Sequence, residues 1–306
     1  MVLEATANTW AIAELLAEHA GRVVVSNPLR TRAIAAAKTK TDQIDAATLA
    51  QLLAADYLPE VWQPDAATQA LRRLVAHRAG LVHGRTGARN RIHAICARRL
   101  LSAPVSDLFG VAGRAWLDEL VLEPDERLAL DAQLRLLAAL EVEIDAAERA
   151  IAAQVLDDRR VRHLLTIPGV GLATAASLVG VIGDIARFPR PHKLVSYLGL
   201  DPRVRQSGAR PVFTGHISRA GQAHARGLLV EAAHAAVKVP GPLRGFFRRT
   251  RSRRGTGVAI VAVARKLAVL AWHLLTDDVD YRLGAGGPQR RQAASPGAPR
   301  RRAQAV

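Results

Sequence analysis

The first 28 residues read MVLEATANTWAIAELLAEHAGRVVVSNP, and their order of apolar segments decides the fold class of the N-terminal part. Val2-Leu3 and residues 22–25 are short apolar runs, and Trp10 to His19 between them has apolar residues at helical spacing. A strand, a helix and a second strand in this order predict a parallel or mixed sheet, because parallel strands need a crossover connection. The sequence therefore begins with an α/β segment.

Three carboxylates mark a candidate metal site in this segment. Asp42 and Asp45 fall in the first turn of a predicted helix over 42–55, one helical turn apart and so on one face. Glu4 lies at the end of the first predicted strand. Mg²⁺ takes hard oxygen ligands from a few carboxylates and completes its shell with water and phosphate. The alternative is a solvated helix start, capped by Thr41, in which the acids only match the helix dipole.

The composition points to a polyanionic partner. The 306 residues include 43 Lys+Arg against 27 Asp+Glu, a formal charge of +16, and such an excess favours binding of nucleic acid. GC-rich coding, which enriches Arg and Ala, is an equal explanation. A single cysteine excludes a disulfide framework and a cysteine-based zinc site. No secretory signal, membrane-length apolar run or P-loop motif is recognised, so we expect a cytoplasmic protein without a membrane partner.

Charge also divides the chain. Residues 66–100 form a predicted long helix with eight Arg and no acid, whereas residues 117–158 carry 3 basic and 12 acidic residues. Unrelieved like charge destabilises a helix, so a polyanion along the first helix is predicted. The arginines assigned to phosphate contact are Arg72, Arg73, Arg85, Arg89 and Arg91. In the acidic segment, apolar residues at alternating 3/4 spacing predict a coiled-coil arm or dimer contact, or else an ordinary packed helix.

A glycine-containing turn opens the third part of the chain. Residues 164–171 read LLTIPGVG and precede an Ala-rich helix. Gly169 and Gly171 would let a phosphate approach the backbone and the free N–H groups of that helix, as in a helix-hairpin-helix turn. The alternative is a tight turn between two helices, with glycine needed for packing.

A serine in a second glycine-containing segment is the candidate nucleophile. Residues 214–226 read TGHISRAGQAHAR, which places Ser218 among Arg219, Gly221 and Arg226. A serine hydroxyl needs activation and stabilisation of the developing charge, which the two arginines can supply around a phosphate. The alternative, favoured on the residues alone, is that Ser218 caps a helix starting near Arg219.

Several of these motifs, in this order, resemble the DEDD transposases of the insertion sequence 110 family. The N-terminal ones are Glu-Ala-Thr-x-x-x-Trp at 4–10, Lys-Thr-Asp-x-x-Asp-Ala at 40–46 and Leu-Pro-x-Val-Trp-x-Pro at 58–64. The C-terminal ones are Ile-Pro-Gly-Val-Gly at 167–171, Tyr-Leu-Gly-Leu at 197–200 and Ile-Ser-Arg-x-Gly at 217–221. The resemblance covers about residues 2–281.

The resemblance implies a fold and a chemistry. It implies an RNase H-like, RuvC-like α/β domain over 1–64, a helical or coiled-coil connector over 65–158, and a mostly helical domain over 159–281; the basic tail 282–306 is expected to be disordered. It implies Mg²⁺ at Glu4, Asp42 and Asp45, Ser218 as the nucleophile, DNA as substrate, a structured guide RNA and a homo-oligomer. Such an enzyme would act at the bacterial nucleoid.

One departure from the family leaves alternatives open. The family has a further Asp on a strand upstream of the Glu, and Glu4 lies almost at the first residue of this sequence. We therefore expect either a start assigned too far downstream or an N-terminally truncated copy. The rival functions are a catalytically dead copy that only binds nucleic acid, and a metal-dependent nuclease that acts through water.

Overall fold

A computed structural model describes residues 1–35, 41–205, 208 and 213–282. The chain divides into two compact units, one from Met1 to Ala70 and one from Leu71 onward. Lys40 and the basic tail from residue 283 lie outside the described residues.

The first unit is the predicted α/β segment. Its elements are β1 (Val2–Glu4), α1 (Thr9–Ala17), β2 (Val24–Ser26), α2 (Pro28–Ile34) and α3 (Asp42–Ala54). Strands β1 and β2 pair in parallel, with Glu4 opposite Ser26, so the predicted parallel pairing is confirmed. The amides of Asn27 and Val61 donate to the carbonyls of Pro59 and Val25, which adds residues 59–61 to the other side of β2.

A pair of long helices follows, of which the first starts at the end of the first unit and continues into the second. They are α4 (Ala66–Arg98) and α6 (Pro124–Val155), with the short α5 (Val111–Glu119) between them. The two helices run antiparallel, since residues near the C-terminus of α4 pair with the N-terminal part of α6, and residues near the N-terminus of α4 pair with the C-terminal part of α6. Ion pairs record this direction: Arg78 to Glu148, Arg89 to Glu141 and Arg99 to Glu126.

The apolar seam of α6 is buried within the chain. Leu130, Leu137, Ile144 and Ile151, spaced seven residues apart, are all buried. Leu130 and Leu137 pack in one cluster with Ile92 of α4. Each fully buried Leu or Ile contributes about 1.5–3 kcal/mol, so the spacing that predicted a coiled-coil arm is used here in an intrachain helix pair.

The remaining elements form a helical core with one β-hairpin. They are α7 (Arg159–Leu165), α8 (Leu172–Ile182), a 3-10 helix (Ile185–Arg187), α9 (Pro191–Tyr197), β3 (Pro202–Arg205), β4 (Phe213–Ile217), α10 (Ala223–Ala236), α11 (Pro242–Arg254) and α12 (Thr256–Asp277). The prediction that 159–281 is mostly helical is confirmed. The antiparallel pair β3–β4 was not predicted.

Helix α12 lies at the centre of this core. By length and composition it could cross a membrane, contrary to the prediction that no such apolar run exists. Eight of its residues, among them Val263 and Leu267, are buried. They pack against α7, α9, α10 and α11, so this helix has the environment of a core helix.

Candidate functional site

Ser218 lies in the loop between β4 and α10. Its amide donates to the carbonyl of Asp201 at 2.8 Å, and its own carbonyl accepts from Nη2 of Arg203 at 3.3 Å. The residue is half-buried. The backbone of the serine is therefore hydrogen-bonded to Asp201, directly before β3, and to Arg203 within β3.

Ser218 does not cap a helix, so that alternative is wrong. Helix α10 begins at Ala223, and its N-cap is Gln222, which makes no side-chain capping bond. Arg219, directly after the serine, has a φ of 56°. A left-handed backbone costs a residue other than glycine about 1–2 kcal/mol. Strain of this kind is held in place by surrounding structure and clusters at functional sites.

Two glycines bring the serine loop against the segment after α9. Gly221 has a φ of 108°, and a Cβ there would lie 2.2 Å from the carbonyl oxygen of Tyr197. Gly199 has a φ of 71°, and its Cβ would lie 2.3 Å from the carbonyl oxygen of Ala220. The motifs at 197–200 and 217–221, which are separate in sequence, thus form one backbone-to-backbone contact.

The arginines near Ser218 have different roles. The Nη1 of Arg226 donates to the carbonyl of Leu198 at 3.2 Å, so this side chain positions the loop. Arg265, which the sequence reasoning did not assign to the site, pairs with Asp201 at 3.2 Å. The side chain of Arg219 is exposed, which leaves it available to a phosphate.

The turn at 166–171 joins α7 to α8. Gly169 has a φ of 84°, and a Cβ there would lie 2.4 Å from the carbonyl oxygen of Ala232, so this glycine serves packing on α10. Gly171 is the N-cap of α8, and a Cβ at Gly171 would meet nothing within 4 Å. Gly171 lines a cleft of about 260 Å³ with Arg78 and Glu148. A phosphate contact at Gly171 stays a prediction.

Two titratable groups of the second unit have shifted pKa values. Asp158 accepts from the amide of Arg160 at 2.9 Å and so caps α7. Partial burial raises the pKa of Asp158, but hydrogen bonds and charge from Arg160 outweigh it, and the pKa falls below its ordinary value. Partial desolvation, aided by the charge of Arg78, lowers the pKa of His224 in the first turn of α10.

The acids of the first unit lie on neighbouring elements. Glu4 ends β1 and is exposed, Asp42 begins α3 and is exposed, and Asp45 follows one turn later. Helix α3 packs beside β1, and Thr41 Oγ1 caps it by accepting from the amide of Ile44 at 3.2 Å. Within residues 1–35, 41–205, 208 and 213–282, no three His, Cys, Asp or Glu side chains come together as a metal site.

The arginines of α4 mostly have partners inside the chain, so the premise of unrelieved like charge was wrong. Arg72 donates to the carbonyls of Gly180 and Val181 at the end of α8. Arg89 pairs with Glu141 at 3.2 Å, and Arg91 reaches Gln133 at 3.5 Å. Of the arginines assigned to phosphate contact, Arg73 is exposed and Arg85 half-buried. Acids of α6 pair with Arg78, Arg89 and Arg99, and a nucleic-acid contact at Arg73 and Arg85 stays a prediction.

Two family models match the chain. Residues 161–248 match the model of the IS116/IS110/IS902 transposase family, and residues 1–98 match a model described as a transposase of the DEDD type. The first match contains both the turn at 166–171 and Ser218. The second contains Glu4, Asp42 and Asp45.

Named relatives are similar in sequence. The transposase for insertion sequence element IS1111A of Coxiella burnetii is 38% identical over 141 residues, 45% of this chain and 38% of the relative. A probable family 20 transposase of Pseudomonas aeruginosa is 32% identical over 152 residues, 48% of this chain and 45% of the relative. The pilin gene-inverting protein of Moraxella bovis is 28% identical over 286 residues, 90% of this chain and 79% of the relative. The chain thus spans less than half of the first two.

Proposed function

We propose that this chain acts as a transposase of the kind its two matched segments indicate, residues 161–248 by the IS116/IS110/IS902 model and residues 1–98 by the DEDD-type model, and that it cuts and rejoins DNA with Ser218 as its nucleophile. The observation that carries the proposal is the loop of Ser218. It is tied by backbone hydrogen bonds to 199–201 and followed by a strained arginine. It also lies within the segment that matches the family model.

The proposed step exchanges one phosphodiester for another. The Oγ of Ser218 bonds to phosphorus, the bond from phosphorus to one deoxyribose oxygen breaks, and that oxygen leaves with the proton that Ser218 gave up. A hydroxyl of the new strand then attacks the phosphoserine and restores the serine. Each step conserves the number of phosphate ester bonds, so no energy source is needed. The exposed guanidinium of Arg219 stabilises the charge that develops on the phosphate oxygens.

We assign Glu4, Asp42 and Asp45 as ligands of a divalent ion, with Mg²⁺ as the expected metal. The donor type fits, because Mg²⁺ prefers carboxylate oxygens, and β1 and α3 are neighbours. As described above, the side chains do not come together as a complete metal site. The serine step is therefore derived without the metal. Calorimetric titration of the chain with MgCl₂, against Asp42→Asn with Asp45→Asn, tests the assignment: equal heats would contradict it.

The partners follow from the family. We propose a structured guide RNA and a homo-oligomer acting on DNA at the nucleoid, on the strength of the resemblance alone. Leu130 and Leu137 of the α6 seam pack in one cluster with Ile92 of α4, so the proposed homo-oligomer does not rest on these two residues. Light scattering of the purified chain, with and without RNA transcribed from the element's flanks, tests both partners.

A second candidate function is nucleic-acid binding without strand cleavage. It is favoured because, among the described residues, no three His, Cys, Asp or Glu side chains come together as a metal site. An excision assay separates the candidates, using a reporter gene interrupted by the element. We expect excision with the unchanged chain and with Ser106→Ala, an exposed serine far along the sequence, and background levels with Ser218→Ala. No excision and no cleavage by any form would favour binding alone, and strand cleavage by Ser218→Ala without rejoining would favour a nuclease that uses water.

A further inference from the structure

A second basic surface lies on α11, outside every motif discussed above. The helix reads PLRGFFRRTRSRR over Pro242–Arg254. We define the α11 arginine cluster as Arg248, Arg249, Arg251, Arg253 and Arg254. No acidic residue occurs in the sequence between Glu231 and Asp277. Among the described residues, no ion pair joins this cluster to a carboxylate.

The helix is anchored at one end and exposed at the other. Leu243 is buried, and Phe246 and Phe247 pack against the helical core. All five arginines of the cluster, together with Ser252, are exposed. The exposed part continues through Gly255, Thr256 and Gly257 at the turn into α12. The last two turns of α11 therefore carry positive charge that nothing in the described chain neutralises.

The arrangement of the cluster favours one kind of partner. At about 100° per residue, the five arginines are distributed around most of the helix axis, apart from the face that Phe246 and Phe247 turn toward the core. The segment from 248 to 254 is about 10 Å long, and a helix is about 10–12 Å wide with side chains. The major groove of B-form DNA is about 12 Å wide and has phosphates along both walls. The major groove of A-form RNA is too deep and narrow to be entered in this way.

We propose that the C-terminal half of α11 docks in the major groove of duplex DNA, with the α11 arginine cluster contacting phosphates on both walls. This surface is separate from the serine loop, and it rests on the proposed action on DNA. It would let the chain bind duplex DNA independently of base sequence, because phosphate contacts position a protein without base-specific contacts. Two side chains of the cluster have contacts within the helix: the guanidinium of Arg251 lies 5.6 Å from the ring centroid of Phe247, and Nε of Arg253 donates to the carbonyl of Arg249 at 3.2 Å.

The test measures the salt dependence of binding to a mixed-sequence 20-base-pair DNA by fluorescence anisotropy. The test variant carries Arg248→Ala, Arg251→Ala and Arg254→Ala. Each lost phosphate contact reduces the slope of log affinity against log salt by about 0.9, so we expect a slope smaller by about 2.7 and an affinity lower by roughly 100-fold at 0.15 M salt. The variant with lysine at the same three positions should keep most of the slope of log affinity against log salt.

A matched control removes the same charge elsewhere. Arg135, Arg149 and Arg162 are exposed arginines outside the cluster, and their triple alanine variant should keep the slope of the unchanged chain. Equal losses in both variants would overturn the proposal, since only net charge would matter. The proposal would also be overturned if the chain bound duplex RNA of the same sequence as tightly as DNA and the test variant lost affinity for both equally.

The proposed catalytic function can fail independently. The anisotropy assay needs no cleavage, so its result does not depend on the serine chemistry. Excision that survives Ser218→Ala would refute the serine chemistry and leave the binding result standing. If the α11 variant kept the salt slope of the unchanged chain, and excision still required Ser218, the docking surface would be refuted and the serine chemistry would stand.

Discussion

At the scale of single residues, the serine loop combines strain with restraint. The left-handed Arg219 lies between Ser218 and Gly221, and hydrogen bonds to Asp201, Gly199 and Tyr197 hold the loop on both sides. A flexible loop would relax such strain. The fixed loop instead presents the serine at a constant orientation, which is what an attack in line with a leaving oxygen needs.

Arg219→Gly should separate stability from activity. Glycine adopts a φ of 56° without steric cost, so we expect the midpoint of urea unfolding to rise, by the equivalent of about 1 kcal/mol. DNA excision should fall, because the guanidinium proposed to stabilise the charge on the phosphate is lost. Arg219→Lys should keep part of the activity without the gain in stability. A variant that lost stability and kept full activity would contradict both roles.

Gly221→Ala should displace the loop. A Cβ at this position would lie 2.2 Å from the carbonyl oxygen of Tyr197, and backbone cannot yield as a side chain does. We expect a loss of about 1–3 kcal/mol in unfolding free energy. Gly227→Ala in α10 is the matched control, since a Cβ there meets nothing within 4 Å. It should be neutral or stabilising by up to about 1 kcal/mol.

At the scale of elements, α4 and α6 neutralise each other. The sequence shows an Arg-rich stretch and an acidic stretch but not that they are antiparallel neighbours, so a polyanion was inferred where a helix of the same chain lies. Positions 130, 137, 144 and 151 predicted a buried seam correctly, but spacing does not reveal whether the partner is the same chain or a copy. Glu148 and Glu141, which interrupt the seam in sequence, are the partners of Arg78 and Arg89.

Removing the acids of α6 should weaken the helix pair. Glu126→Gln, Glu141→Gln and Glu148→Gln together should lower the free energy of unfolding by about 1–2 kcal/mol at low salt, since each partly exposed pair contributes up to about 1 kcal/mol. The loss should shrink in 1 M NaCl, where charges are screened. Glu143→Gln, with no ion pair recorded for this helix position among the described residues, serves as control. A loss independent of salt would indicate packing rather than charge.

The stability that the Asp158 cap of α7 contributes should depend on pH. The pKa of Asp158 is lowered in the folded chain, so its stabilisation is full above the pKa of the unfolded state, about 3.9. It disappears as the pH falls through the folded pKa. Asp158→Ala should cost about 1 kcal/mol at pH 7, as for other helix caps. Asp158→Asn should keep the capping oxygen and flatten the pH dependence of unfolding below pH 4.

At the scale of the whole molecule, the sequence predicted the order of elements better than their contacts. The parallel strands, the capped helix at Asp42, the two long helices and the helical C-terminal part all follow from local patterns. The β3–β4 hairpin does not, and neither does the contact of 197–201 with 218–222, because backbone-to-backbone packing leaves little signal beyond isolated glycines. The motifs predicted Ser218, whereas Arg265, which lies in the matching run 264–267, was not assigned to the site, and the α11 arginine cluster belongs to no motif.

The measurement that tests the central claim most directly is capture of the covalent intermediate. The chain is incubated with a DNA that carries the element's end and a nick beside the cleavage site, together with RNA from the element's flank, and the adduct is digested and located by mass spectrometry. We predict a nucleotide on Ser218 in the unchanged chain and in Ser106→Ala, and none in Ser218→Ala. Cleaved DNA without an adduct, or an adduct on another residue, would contradict the assignment of Ser218 as the nucleophile.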